Sequence, residues 1–471
     1  MNLLDKKLGL LILAVLLFFS CEEELGELNV TPENNLGIFF AEIPLGNNTN
    51  QLWAGSVPGS FSGNLIAGTM QDSVLGNITA KAYGDISVER AIYDTATIRS
   101  AELISLTFNI RINGAVGSFE ETDVQNFGLY KLSETINELA EINSASNISV
   151  DEKIGEAHFQ IYRDSINLTT QTTDSSDDFD DNGFYIYQMP FELNEDYKSF
   201  FIESFVDAIL KGVPQDDSDI DSVSYYLDEN LKGIVIMAED ETNAIITTDV
   251  TDVENYDFDL VYRLEDIDGS TIERTANFLI NSLKSFNNIT PNEDTPWQGG
   301  VFNGVSEITS IFPSNTDDIH VHSGTNMLAA IDLSDFPLIG DTVSNLIINK
   351  ATLSIKNVRS VSDDLPLTTL LYFTFSNSEN IENGILSKID NDLILTELPT
   401  DILYDTLDQS FNIEMPLFLQ SLIIDDSGFD QIIIGSDLIR SDFNVGNDVN
   451  LSGVTFAKED VSISFFYTIT E

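Results

Sequence analysis

A chain of 471 residues, 42% of them hydrophobic, has the material for two or three cores, which argues against wholesale disorder in spite of its charge. That charge is −57, from 78 acidic against 21 basic residues. It excludes nucleic acid and a bare anionic membrane face as partners, because both are held by clusters of Lys and Arg that this chain does not carry. Thirty Phe and fourteen Tyr against six Met favour β-rich cores over helical bundles.

The first element in chain order is an export signal. Lys6 and Lys7 precede an apolar run over residues 8–19, which stops at Ser20 and Cys21. The run is well short of the ~20 residues that span a bilayer as a helix, so residues 1–20 read as a signal peptide. Cys21 is the sole cysteine, so the chain offers it no disulfide partner. Phe18-Phe19-Ser20-Cys21 resembles the lipobox of bacterial lipoproteins, with Phe18 where Leu is commoner. The resemblance implies cleavage before Cys21 and acylation of its thiol and new amino group; two or three acyl chains anchor stably where one is marginal. Glu22, Glu23 and Glu24 follow directly. They resemble the acidic signal that sends Bacteroidota lipoproteins to the outer cell surface, and they read equally well as a charged tether. With the polar stretch that contains Pro32, residues 21–49 are expected to form a flexible acidic stalk.

Short alternating runs dominate the remainder, among them residues 101–110, 157–162, 184–187 and 234–237. Period two bounded by Gly, Asn and Asp predicts half-buried strands. Helical spacing is rare. It occurs at residues 197–210, where Phe201, Phe205 and Ile209 share a face, at residues 274–286, and more weakly at 132–142 with Ser133 as N-cap. The Gly/Asn-rich segments 46–55 and 299–304 read as loops.

Taken in order, the segments repeat. Residues 101–110 match 351–355, 127–130 match 370–373, 189–193 match 411–415, 233–237 match 431–435, and 256–262 match 461–467. The expected fold is therefore all-β with a few short helices: two related jelly-roll-like sandwich modules at residues 50–268 and 295–471, joined by a helical linker at 269–294.

Chemistry is sparse. No G-x-G turn, Gly-Lys-Ser/Thr or G-x-S-x-G occurs, and none of the three histidines is followed by Glu, so nucleotide cofactors, serine hydrolases and zincins lack their parts. His320 and His322, with Asp317 and Asp318 beside them, read as a solvated strand face or as a minimal transition-metal site. Asp178, Asp180, Asn182 and Gly183 stand at the first, third, fifth and sixth positions of a calcium loop, but Met189 stands where the bidentate Glu belongs. A structural calcium at Asp178, Asp180 and Asn182 and a plain solvated loop both remain open, and no other cofactor is expected. A pair of carboxylates for glycoside hydrolysis leaves no mark in sequence. Trp53 and Trp297 sit in polar loops and suit sugar stacking or loop anchoring. Six Asp-Ser/Thr-apolar tripeptides, starting at Asp72, Asp94, Asp164, Asp221, Asp341 and Asp405, resemble the O-glycosylation sequon of Bacteroidota.

The lipobox, the acidic run, those tripeptides and the repeated module ending in Phe465-Phe466-Tyr467-Thr468 together resemble the Bacteroidota lipoproteins grouped under domain of unknown function 4270. The resemblance covers most of the chain and transfers no catalytic residue. It implies a non-enzymatic lipoprotein held by acylated Cys21 in outer-membrane lipid, facing the exterior, as an accessory subunit of an outer-membrane complex such as the β-barrel assembly machinery. A surface glycan-binding protein is the alternative.

Overall fold

The structure, a computed structural model, describes residues 37–53, 63–88, 98–136, 146–161, 188–198, 231–240, 243–250, 256–291, 311–312, 317–325, 327–334, 345–376, 402–424, 429–436 and 451–469. They form three sheets and few helices, as the alternation predicts.

The first unit contains β3 (Asn64–Asp72), β4 (Gly76–Val88), β5 (Ile98–Arg111), β6 (Gly114–Val116), β7 (Val124–Leu132), β8 (Val150–Gln160), β9 (Gln188–Leu193), β10 (Ile234–Ala238), β11 (Ala244–Asp249), β12 (Tyr256–Asp266) and β13 (Thr271–Pro291). Its pairings run β10-β7-β8-β9-β5-β12-β13-β4, and β4 pairs back to β10, so eight strands close on themselves in a barrel-like ring. Strands β3, β11 and β6 continue outward from β4. Alternate side chains fill the interior, with Phe108 edge-on to Phe258 at 4.7 Å and Phe258 against Phe278 at 4.7 Å.

The second unit is built from β14 (Ile311–Phe312), β15 (Asp318–His322), β16 (Met327–Asp332), β17 (Leu346–Ile355), β18 (Leu370–Ser376), β19 (Ile402–Leu403), β20 (Phe411–Glu414), α1 (Pro416–Ile423), β21 (Gln431–Gly435), β22 (Gly453–Ala457) and β23 (Val461–Ile469). Pro416 starts α1, where a missing N–H costs nothing. The spacing of Phe418, Leu419, Leu422 and Ile423 buries one face of the helix, and Phe418 stacks on Phe375 at 3.6 Å.

The repeat read from segment order reappears in the hydrogen bonding. Strands β9-β5-β12 in the first unit correspond to β20-β17-β23 in the second, and β7-β10-β4-β3-β11 correspond to β18-β21-β16-β15-β22. Two further strands complete the second unit from upstream: β1 (Ile38–Pro44) pairs with β23, and β2 (Thr49–Trp53) pairs with β16. Their counterpart in the first unit is one continuous strand, β13, whose first half pairs with β12 and whose second half pairs with β4. Each unit is thus closed by a segment that crosses from one sheet to the other. In the first unit that segment follows the unit; in the second it precedes the whole of the first.

Several expectations are corrected here. The helix expected at residues 274–286, within the linker at 269–294, is strand: it lies inside the 21-residue β13 and belongs to the first unit. Phe278 is buried in the ring interior, whereas beyond a register shift between Asn281 and Ser285 Phe286 is buried in a separate cluster, stacked on Tyr83 at 4.5 Å, so the apolar spacing along the strand does not follow simple alternation. No helix starts at Ser133, whose amide and hydroxyl both bond the Ser149 carbonyl at 2.9 Å; residues 137–142 of the helix expected there lie outside the described residues. The helix expected at 197–210 opens as a helical turn over residues 195–198, and its remainder lies outside the described residues. The stalk expected to reach residue 49 is sheet from Ile38 onward, and the loop expected at 46–55 contains a short 3-10 turn (Gly46–Asn48) followed by β2.

The two units share an apolar junction. Ile66, Met70, Leu75 and Ile78 at the β3–β4 hairpin pack with Met327, Val361, Leu365 and Leu451. The Ser362 hydroxyl donates to the buried Asp72 carboxylate, whose other oxygen accepts the amides of Val74 and Leu75 at 2.7 and 2.6 Å.

Candidate functional site

Cys21, the calcium trio Asp178, Asp180 and Asn182, and Trp297 lie outside the described residues. Trp53 is not a loop residue; it ends β2, opposite Met327. Two of the Asp-Ser/Thr tripeptides are described, and both are turns. Asp405 accepts the amides of Leu407 and Asp408 at 2.9 and 3.3 Å much as Asp72 accepts those of Val74 and Leu75, and each turn leaves its hydroxyl residue, Thr406 or Ser73, exposed.

His320 and His322 do share a strand face, but it is not solvated. Both are buried between β15 and its neighbours: His320 Nδ1 lies 2.8 Å from Thr455 Oγ1, and His322 Nδ1 lies 3.0 Å from Thr325 Oγ1. Burial pushes both imidazoles down to about 4, so they stay neutral at pH 7. Asp318, expected beside them, turns instead to Arg359 at 2.7 Å. Sequence reasoning missed Gln51 on β2, whose buried amide grips the His320 main chain. Its Nε2 donates to the carbonyls of His320 and Leu328 at 2.7 and 2.9 Å, and its Oε1 accepts the His320 amide at 2.8 Å.

An open cleft of about 520 Å³ lies on the first unit beside β5 and β9. Phe108, Phe191 and Leu193 are among its lining residues, together with Asn109, Glu156 and Glu192. Glu156 also belongs to a charged cluster on the neighbouring strands. Lys153 Nζ lies 2.6 Å from Glu156 and 2.6 Å from Glu239, and Tyr130 donates its hydroxyl to Glu239 at 2.8 Å. Gly128 makes room for this contact, since a Cβ there would come within 2.4 Å of the Tyr130 ring. Hydrogen bonding from Lys153 lowers the Glu156 pKa. Partial burial raises that of Glu239, but bonds from Lys153 and Tyr130 outweigh it and the net direction is down. Both carboxylates are therefore held ionised around one ammonium. A general acid for glycoside cleavage needs the opposite shift, so the cluster can orient a polar ligand at the cleft but does not supply a proton.

A third feature lies where the chain enters β1. Ile38 and Phe40 are 71% and 57% exposed, and Phe40 meets the 42%-exposed Phe466 of β23 at 5.1 Å between ring centres. Ile347 on β17 extends the same ledge, and Phe39 stacks on Tyr467 at 5.4 Å on the other face. A signal for the ledge was present in the sequence: three successive aromatics, Phe465-Phe466-Tyr467, cannot all face one core when strand side chains alternate.

Comparison with protein-family models, with characterised proteins and with solved structures found no match for the chain.

Proposed function

We propose that this chain is a non-enzymatic lipoprotein of the bacterial outer membrane, held by acylated Cys21 with its two β units outside the cell. It serves as an accessory subunit of an outer-membrane protein complex, in the first place one that assembles β-barrels. The observation that carries the reading is the placement of the exposed ledge of Ile38, Phe40 and Phe466 at the point where the segment from Cys21 joins the folded body. A subunit docked beside its own anchor has its apolar contact surface there. The lipobox-like residues before Cys21, the acidic run after it and the resemblance to surface lipoproteins support the same reading. Depletion is the test: it should lower outer-membrane barrel levels and viability, and unchanged levels would overturn the assignment. Mass spectrometry of the Cys21 peptide should show acylation.

The cleft favours a second reading, a surface glycan-binding protein, because a lining that mixes apolar side chains with amides and carboxylates suits a sugar. Retention on a glycan array that Asn109→Ala and Glu192→Gln abolish would select it; no retention would remove it.

A further inference from the structure

The repeat provides an internal control for the ledge. Strands β12 and β13 of the first unit occupy the places that β23 and β1 occupy in the second. On the outer face of the first pair stand ions: Arg263 lies 3.7 Å from Glu273 on β13 and 3.3 Å from Glu102 on β5. On the second pair the same face carries Phe40 against Phe466. The outer face of the strand pair thus carries an ion cluster around Arg263 in one copy and the aromatic pair Phe40–Phe466 in the other.

The edges differ in their protection. In the first unit residues 271–277 of β13 pair with β12 alone among the described residues but carry Glu273 and Arg274, and from Phe278 the strand passes on to β4, which closes the ring. Strand β1 pairs with β23 alone among the described residues, so its far edge presents main-chain N–H and C=O groups with no neighbouring strand. Residues 37–41, Gly-Ile-Phe-Phe-Ala, include none of the charges, prolines or lysines that ordinarily protect an open edge; Glu42 and Pro44 come only afterwards.

We propose that the open edge of β1 at residues 37–41 receives one further β-strand, contributed by a protein of the same membrane, with the Phe40–Phe466 ledge packing under it. Three observations select this occupant. Hydrocarbon cannot satisfy an unpaired strand edge, which argues against seating the ledge in the bilayer. A second copy brings another body of −57, so self-pairing works against strong repulsion. About sixteen residues separate Cys21 from Ile38, and a chain of that length reaches at most roughly 53–58 Å whatever its conformation, so the edge stays within that distance of the membrane surface. The partner strand is extended, with apolar side chains at alternate positions over the ledge and without acidic residues there. The last observation, and the choice of a membrane protein, rest on the lipid-anchor reading above.

The test is amide hydrogen exchange on the full acylated chain, followed in a peptide spanning residues 37–45. In native outer membranes, the outward amides of β1 should exchange at least tenfold more slowly than in the purified chain in detergent. Ile38→Lys combined with Phe40→Lys should remove that protection without moving the unfolding temperature, since both side chains are exposed. Phe466→Lys, which leaves β1 itself unaltered, should weaken it. Equal rates in membranes and detergent would overturn the proposal. So would equal protection in vesicles of phosphatidylethanolamine and phosphatidylglycerol, which assigns the ledge to lipid, or protection that rises with the concentration of purified chain, which assigns it to a second copy. Cys21→Ser separates the two readings. If that variant still sediments with membranes, the anchor fails alone; if it is released yet regains protection when mixed with detergent-solubilised outer membranes, the strand addition stands.

Discussion

Gln51→Leu removes a side chain that does the work of a missing strand. Strands β15 and β16 pair only at His322 and Met327, so they diverge before His320. The Gln51 amide fills the gap, accepting the His320 N–H and donating to the His320 and Leu328 carbonyls. Leu is close in volume and suits the apolar surroundings, but it leaves both main-chain groups of His320 buried without this partner. At about 1–3 kcal/mol for each unsatisfied group, the loss is about 2–5 kcal/mol after allowance for the gain in apolar packing. By hydrogen exchange, 2 kcal/mol corresponds to roughly a thirtyfold faster opening of β15 and β16. The amides of β12 and β13 in the first unit should exchange at their original rates. A change below about 0.5 kcal/mol would refute the bridging role. An equal loss in both units would refute the assignment of residues 49–53 to the second.

Three further outcomes are expected. His320 and His322 have folded values of about 4 against an ordinary 6.5. The unfolded chain therefore binds more protons between those values, and the stability held above pH 6.5 is lost as pH falls toward 4. Each histidine contributes up to roughly 3 kcal/mol of that loss; a His320→Gln, His322→Gln double variant should show a shallower fall of unfolding temperature from pH 7 to 4, and an unchanged slope would refute the burial argument. Gly68 has φ +139° and a Cβ would stand 2.1 Å from the Ala244 carbonyl oxygen, so Gly68→Ala should cost about 3 kcal/mol or more, measured by denaturant titration, whereas a near-neutral effect would contradict the β3–β11 geometry. Phe418→Ala opens the stack with Phe375 and should cost about 3–5 kcal/mol, with the first unit's transition unmoved.

Local pattern carried the sequence reading where strand neighbours are close in the chain or alternation is clean. Phe411 and Ile413 point inward and Asn412 and Glu414 outward in β20, as period two requires. The repeat was visible as order because each unit switches sheets at the same points. Strand β13 was not legible, since its mid-strand register shift breaks the alternation and buries side chains in two different clusters. Strands β1 and β2 were not legible either, because their partners β23 and β16 lie hundreds of residues downstream and Gly46, Asn47 and Asn48 supply a strong local turn signal. His320, His322 and Gln51 look like surface residues by composition. They are buried where β2, β15 and β22 come together from distant parts of the chain, and no local window contains that information.

The crossing segment of the second unit also determines where mechanical load travels. A pull on the chain ahead of Gly37 acts first on the pair Ile38–Thr468 and then, one pair at a time, along β1 to Pro44–Ser462. This is peeling, in which bonds yield in sequence instead of sharing the force. The unit completed last by the ribosome is therefore the one stressed first, because its crossing segment comes first in the chain. Drag on the body would open the sheet at β1 long before it disturbed the ring.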